Sequence, residues 1–443
     1  MNNTLAGGLI IAAPASGSGK TVITLSLLRA FKNAGVDAGS FKIGPDYIDP
    51  AYHAAASGKL CRNLDFWAMQ EDTLLRQRTA GLEDVDIVIT EGVMGLFDGA
   101  TTGKAKNSGS TADAANWLDW PVVLVVDAKS QGASAAALVE GFANHRDDIK
   151  IAGVIFNHIG GENHERILRE ALAPNGIQCL GCIPRHASLD LPNRHLGLVQ
   201  AKEMPKLDQW LDAAAAIVKE HVDLAALKDL AAQSKVVLTL KETPSIPPLG
   251  RNTAIARDDA FAFCYDHVVE SWRAAGTEIS FFSPLAGEAP DFVADSIYLP
   301  GGYPELHAEN IAGNESFVSA MKMAAAKDAV IYGECGGFMV LGETLTGRDG
   351  KSHDMLGLLP VETSFAAPKL HLGYRQLSLL DDGPLGSTGA QFRGHEFHYC
   401  EMTVMTGREA LFNAQDAQGN SLPPLGCRSG SVMGSFAHII DSA

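Results

Sequence analysis

Leu9-Ile10-Ile11-Ala12-Ala13-Pro14-Ala15-Ser16-Gly17-Ser18-Gly19-Lys20-Thr21 decides the fold of the first half of the chain. An apolar run, read as a strand over Gly8–Ala13, enters a glycine-serine loop that ends in Gly-Lys-Thr. A helical pattern follows over Thr21–Ala34. A strand that feeds a glycine-rich turn and opens a helix is the setting a phosphate-binding loop requires. Glycines let backbone N–H groups turn toward phosphate oxygens, and the helix N-terminus adds a favourable dipole. Ser16, Gly17, Ser18, Gly19, Lys20 and Thr21 are the expected nucleotide contacts. Lys20 would reach the β- and γ-phosphates of ATP, and the Thr21 hydroxyl would ligate Mg²⁺. Pro14 stands where such loops usually begin with Gly.

Working outward, Val85–Thr90, Val122–Asp127 and Ile151–Phe156 are Val- and Ile-rich runs ending near Gly, Asp or Asn, and they read as buried parallel strands. Helical patterns over Glu71–Ala80, Ala112–Leu118, Ala133–Asn144 and Glu162–Ala173 alternate with them. Such alternation predicts a doubly wound parallel sheet with ligands at the strand C-termini. One or two helices over Asp208–Ala232 would close this domain, residues 1–240. The stretch Lys241–Arg251 carries three Pro and one Gly in eleven residues, so the linker is placed at 241–252. An α/β pattern then restarts and fills a second domain, 253–443. Its expected elements are a first strand over Thr253–Ala256 and Phe261–Phe263, a helix over Asp266–Ala275, and strands at Glu278–Ser283, Ser296–Leu299 and Ala329–Tyr332. The fold class expected is therefore α/β, as two α/β domains. Lys104–Ser110 is polar and reads as a mobile loop.

Acidic groups recur where strands end. Glu91 follows the run Asp86–Thr90, and Lys42, Asp46, Tyr47 and Asp49 lie in the turn-rich segment Phe41–Pro50. Mg²⁺ takes hard oxygen ligands and keeps waters, so Thr21, Asp46 and Glu91 form the expected metal set. Lys42, Tyr47, Asp49 and Asp98 are assigned to the substrate, although turn capping is the plain alternative for the acids.

The second half carries Tyr332-Gly333-Glu334-Cys335-Gly336-Gly337 between a strand and a helix. This is a nucleophile elbow with Cys in place of Ser. A helix N-terminus would favour thiolate at Cys335. Gly301 and Gly302, in a turn after a strand, would build an oxyanion hole together with Gly336. His438 is the base expected to activate Cys335. No orienting acid is evident after it, because Ile439 and Ile440 follow. His395 and His398 would lie on opposite faces of a strand, lining an acceptor site or holding an interface, with a metal role disfavoured. Cys179 and Cys182 have redox-like spacing but read as part of a strand.

Lys+Arg 35 against Asp+Glu 52 leaves a net charge of −17. That balance argues against wrapping nucleic acid or lying on an anionic membrane. No apolar run reaches the ~18–20 residues of a span, and the N-terminus lacks the basic start of a secretory signal. Seven scattered Cys suit a reducing compartment, so a cytoplasmic protein is expected. The composition leaves a homodimer open.

Together these motifs resemble the cobyrinic/hydrogenobyrinic acid a,c-diamide synthase family of cobalamin biosynthesis. The resemblance is carried by Ala15–Thr21, Lys42–Pro50 (KIGPDYIDP), Glu91–Gly99 (EGVMGLFDG), Leu191–Leu198 (LPNRHLGL), Pro300–Glu305 (PGGYPE), Gly333–Gly337 (GECGG) and Gly394–Tyr399 (GHEFHY). The Pro14 form of the loop is similar to that of dethiobiotin-synthetase-like proteins. The resemblance implies a ligase that uses ATP and glutamine to amidate the a and c carboxylates of a corrin ring. It implies a class I glutamine amidotransferase domain for 253–443, with Cys335 and His438 acting without the usual third acid. It also implies a protected ammonia path, expected near the linker and the His395–Tyr399 strand. Arg62, Arg185, Arg194 and His195 are candidates for the corrin carboxylates. A cobyric acid synthase-type amidotransferase is the rival enzyme. A P-loop partitioning ATPase would explain 1–235 but leave the Cys335 elbow without a role.

Overall fold

The computed structural model describes residues 6–100, 108–191, 193–194, 197–198, 200–234, 246–404 and 409–443. Most of the polar stretch Lys104–Ser110, His195 and the first half of the linker lie outside the described residues. The chain forms two compact units: Met1–Trp67 with Leu74–Lys241, and Ala68–Thr73 with Glu242–Ala443.

The first unit is built on seven strands: β1 (Gly7–Ala12), β2 (Ala38–Ile43), β3 (Cys61–Leu64), β4 (Ile87–Glu91), β5 (Val122–Asp127), β6 (Ile151–Ile159) and β7 (Gln178–Pro184). They pair in the order β3-β2-β4-β1-β5-β6-β7, every pair parallel. Helices α1 (Lys20–Asn33), α2 (Asp49–Ser57), α4 (Thr111–Leu118), α5 (Ser134–Ala143) and α6 (Glu162–Leu172) fall between strands, as does α3 (Glu71–Leu82). Helices α7 (Leu207–His221) and α8 (Leu224–Ala232) follow the last strand. β1 is central, and Leu9 to Ala12 are wholly buried, as a strand covered on both faces must be. β3 escapes prediction because Cys-Arg-Asn-Leu is short and polar. α4 begins with a reciprocal cap: Ser110 Oγ accepts from Asp113 N while Asp113 accepts from Ser110 N.

The second unit has a mixed six-stranded sheet. Its members are β8 (Asn252–Ala256), β9 (Glu278–Phe282), β10 (Ser296–Leu299), β11 (Val330–Glu334), β16 (Cys427–Ser429) and β17 (Val432–Ser435), in the order β9-β8-β10-β11-β17-β16. Only the β16–β17 pair is antiparallel. An antiparallel five-stranded sheet joins β12 (His371–Leu379), β13 (Gln391–His398), β14 (Phe412–Gln415), β15 (Ser421–Leu425) and β18 (Ala437–Ser442) in the order β15-β14-β12-β13-β18. Helices α9 (Asp266–Ala274), α10 (Ala308–Gly313), α11 (Glu315–Ala326) and α12 (Gly336–Leu341) complete the α/β part. Its core gathers Phe261, Phe317, Phe338 and Leu299 around Cys335. Segment Ala68–Thr73 belongs here through Gln70, whose N–H donates to Asp441 Oδ2 at 2.9 Å and whose amide donates to Ser442 O at 3.0 Å.

One expected strand is corrected. Phe261–Phe263 does not extend β8, because Asp258 closes a turn by accepting from Ala260 N and Phe261 N. Phe263 instead makes a single bridge to Gly301.

Candidate active sites

In the phosphate loop, Ala15, Ser16 and Gly17 are exposed while Ser18 and Lys20 are buried. Gly17 and Gly19 have φ of 83° and 96°, a region that favours glycine. A Cβ on Gly19 would meet Asn157 Nδ2 at 2.3 Å. That amide donates to Ser18 O at 3.0 Å, so Asn157 at the end of β6 props the loop from below. Sequence reading missed it, since a lone Asn at a strand end is a common turn residue.

Behind the loop lies a buried charged cluster. Glu91 Oε1 accepts from Thr21 Oγ1 at 2.6 Å and from Lys42 Nζ at 2.9 Å, and Oε2 meets His53 Nε2 at 2.7 Å. Lys42 also donates to Asp49 Oδ2 at 2.5 Å. Burial alone would raise the Glu91 pKa, but Lys42 and His53 outweigh it and hold the carboxyl well below the usual range. Burial opposes charge on Lys42 too, yet Asp49 and Glu91 together keep it protonated. Asp49, buried beside Asp46, is pushed up to about 7 despite Lys42. Lys20 Nζ donates to Met94 O, and burial lowers its pKa. His53 was not foreseen. It sits on α2 four residues after Asp49, a helical spacing that puts both side chains on one face.

Thr21 and Glu91 thus come together as an oxygen-only donor set that fits a small hard cation. Asp46 does not join them by a hydrogen bond: its Oδ1 accepts from Ile48 N at 2.7 Å and Asp49 N at 3.0 Å, which makes it a turn residue first. Asp98 likewise accepts from Gly95 N at 2.8 Å within its own turn. Tyr47 is half-buried. Arg62 donates to Gln77 Oε1 at 3.0 Å, and Arg185 is exposed.

In the second unit, Cys335 holds φ 47° and ψ −106° between β11 and α12, the strained backbone an elbow needs. Its N–H donates to Ser435 O at 2.8 Å. A Cβ on Gly301 would lie 2.2 Å from His438 Cε1, 2.8 Å from His438 Nε2 and 3.1 Å from the Cβ of Cys335. Gly301 therefore packs against both the imidazole of His438 and the Cβ of Cys335, and leaves no room for a side chain. A Cβ on Gly336 would meet Gly302 N at 2.9 Å, and one on Gly302 would meet Ala260 O at 2.1 Å. The three glycines expected at the oxyanion hole share one crowded pocket.

Two expectations are corrected. Burial, then the charge of Glu305, pushes the Cys335 thiol up to about 12, against the pull of Gly336 N–H. The six-residue helix α12 does not offset that desolvation, so the resting group is a thiol that needs a base. Nor is an acid lacking beside His438: Glu334 Oε2 lies 3.6 Å from His438 Nδ1. Only the alternation Tyr332-Gly333-Glu334 hinted at it, and that pattern also fits an ordinary strand.

His395 pairs across strands with His438, and burial followed by the His438 charge drops its pKa to about 3. His398 Nε2 meets Glu396 Oε1 at 2.8 Å, and Glu396 Oε2 accepts from Arg375 Nε at 2.7 Å. His371 stacks on His398 with rings 4.7 Å apart and 6° from parallel. His371, Glu396 and His398 each offer one ligand atom within 4.8 Å of the others, a cluster that the expectation against a metal role had not placed there. Within it the ion pair is Arg375 of β12 with Glu396 of β13. Cys179 and Cys182 are both on β7, with sulfurs 3.7 Å apart.

Residues 9–199 match the CobQ/CobB/MinD/ParA nucleotide binding domain, and residues 252–443 match the CobB/CobQ-like glutamine amidotransferase domain. The hydrogenobyrinate a,c-diamide synthase of Brucella abortus is 52% identical over 437 residues, covering 98% of each chain. The chain belongs to the a,c-diamide synthase family. Further synthases of that name match at 49% in Rhizobium meliloti, over 98% of this chain and 99% of the relative, and at 47% in Rhodobacter capsulatus, over 98% of both. As a member of the a,c-diamide synthase family, the chain is a glutamine amidotransferase ligase with a nucleotide-binding half. The partitioning-ATPase alternative loses its ground, because 252–443 has a family of its own. No helix among the described residues is long and apolar enough to cross a membrane.

Proposed function

We propose that this synthase converts the a and c carboxylates of hydrogenobyrinic acid, or of its cobalt counterpart cobyrinic acid, to amides at the expense of ATP and glutamine. The observation that carries the reading is near-complete alignment with relatives of that name, in a chain that holds both a charged phosphate-loop cluster and a glycine-packed Cys/His pocket.

A carboxylate is a poor electrophile because its carbonyl is already electron-rich. Phosphorylation by ATP makes it an acyl phosphate with a good leaving group. Lys20 and Lys42 offset negative charge on the transferring phosphoryl group, and the loop amides of residues 16–20 cradle the chain of phosphates. Thr21 and Glu91 would hold Mg²⁺, which neutralises phosphate charge when bound. In the second unit, His438 accepts the Cys335 proton as sulfur attacks the glutamine amide carbon, with Gly302 and Gly336 N–H groups receiving the oxyanion. The proton then passes to the departing ammonia, leaving a thioester that water hydrolyses. Ammonia attacks the acyl phosphate and expels phosphate. The exposed Arg185 supports a locally basic approach for a polycarboxylate on a protein of net charge −17.

The test is coupled turnover. Purified protein with MgATP, glutamine and either ring is followed by mass spectrometry for the one-unit mass loss per amidated carboxylate. Two successive losses are expected. Amidation at other carboxylates would indicate the cobyric acid synthase-type reaction, and no amidation of either ring alongside intact glutaminase and ATPase would overturn the acceptor.

A further inference from the structure

We infer that Glu334 is the acid that orients His438, so that the position immediately before the nucleophile supplies what is absent from the segment after the histidine. The inference rests on Cys335 and His438 being the glutaminase pair proposed above.

The placement follows from the strand. β11 ends at Glu334, and alternation puts Tyr332 and Glu334 on one face. The register sets Tyr298 of β10 opposite Tyr332, and the two rings stack 5.9 Å apart at 11°. Both phenols then reach one carboxylate. Tyr332 donates to Glu334 Oε1 at 3.0 Å, and Tyr298 donates to Oε2 at 2.7 Å. Ile439 N–H donates to Oε1 at 2.9 Å. Ile439 adjoins His438, so the same carboxylate grips the backbone beside the imidazole and faces its Nδ1 at 3.6 Å. Glu334 is 3% exposed and His438 1%.

A carboxylate so deeply buried is retained only when its lone pairs are filled. Three neutral donors hold it rigidly, and burial suppresses ionisation of both phenols, so they remain donors. What remains is the side of Oε2 that faces His438. An imidazole that takes a proton on Nε2 must carry hydrogen on Nδ1 beforehand, and it becomes a cation afterwards. A fixed carboxylate at Nδ1 selects that tautomer and stabilises that cation. The separation of 3.6 Å is longer than a hydrogen bond, and such contacts tighten on substrate binding. The need is acute here, because the buried Cys335 thiol does not ionise unaided near neutral pH. Glu334 touches neither substrate nor sulfur in this scheme, which makes it a positioning residue.

The test is steady-state glutaminase kinetics of the full chain with Glu334→Gln, Glu334→Asp and Cys335→Ser. Glu334→Gln keeps size and polarity and removes the charge. It should lower kcat on the order of 10²–10⁴-fold with KM within a few fold, and shift the acidic limb of the pH profile. Glu334→Asp should recover part of the loss. If Glu334→Gln keeps wild-type kcat and pH profile while Cys335→Ser abolishes turnover, the role of Glu334 falls and the thiol reading stands. If Cys335→Ser still hydrolyses glutamine, the thiol reading falls with it. A measurement on the unaltered protein guards against a variant that fails to fold. Nitrogen-15 spectra of labelled histidine should show His438 protonated on Nδ1 at rest, and an Nε2–H tautomer would overturn the proposal.

Discussion

The two candidate sites solve the problem of burial in opposite ways. Behind the phosphate loop, charge is buried and paired: Lys42 lies between Asp49 and Glu91, and Glu91 is also held by Thr21 and His53. Around Cys335 the thiol rests protonated, and backbone geometry does the positioning through a positive-φ cysteine and three glycines with no room for a side chain. A site that meets polyphosphate must present cations before the ligand arrives. A site that meets a neutral amide needs shape first and creates charge only during reaction. The first should therefore answer to charge and pH, the second to volume.

The largest effect expected is Cys335→Ser. Glutamine-driven amidation should fall by roughly 10³-fold or more, while ammonium salts still support amidation. Loss of both activities would mean that the two chemistries are not separable. Next comes Lys42→Met, which leaves Asp49 buried without its cation and Glu91 with His53 alone as its ion-pair partner. Breaking a buried pair in this way costs about 3–5 kcal/mol, readable as an earlier denaturant midpoint together with lost ATP turnover. Glutaminase activity should persist, and its disappearance would dissolve the contrast.

Gly301→Ala tests volume. Its methyl would collide with His438 Cε1, so glutaminase kcat should fall about 10²-fold, comparable to a small misplacement of a catalytic group, with ATP turnover intact. A pH experiment tests charge. Burial opposes protonation of His53, but Cys61 and Glu91 outweigh it and raise its pKa to about 10 from an unfolded value of 6.5. Between those values the folded state binds more protons than the unfolded state, so stability falls with rising pH. The His53 contribution should be full below pH 6.5 and lost toward pH 10, at up to about 1.4 kcal/mol per unit. His53→Asn should flatten that decline in denaturation series at pH 6, 8 and 10. The smallest effect belongs to Asp98→Asn. The amide oxygen can still accept from Gly95 N, so ATP and corrin kinetics should change less than about threefold. A large rise in the corrin KM would return Asp98 to the substrate site.

Much of this was legible from residue order. Gly17, Gly19, Lys20 and Thr21 declare a phosphate loop because backbone amides facing phosphate demand those types at that spacing. Gly-x-Cys-x-Gly declares an elbow because only small neighbours tolerate its strain. The buried runs that became β1, β5 and β6 are too apolar to be anything but central strands. In contrast, β3 has no such signature, and Phe261–Phe263 has a strand-like composition that the Asp258 turn interrupts.

Local chemistry thus pointed to candidate residues for the reactive atoms and to the kind of loop that holds each one. It could not settle which partners meet them, since partnership depends on register between segments far apart in the chain. Asp46 and Glu91 look alike as acids near strand ends, yet one serves a turn two residues away and the other meets a lysine 49 positions distant. Glu334 looks like a strand-end residue until β10 delivers Tyr298 and β18 delivers His438 to its Oε2, and β18 also brings Ile439 N–H to its Oε1. The resting state of Cys335 likewise depended on burial, a property of the packed core that no helix terminus of six residues could override.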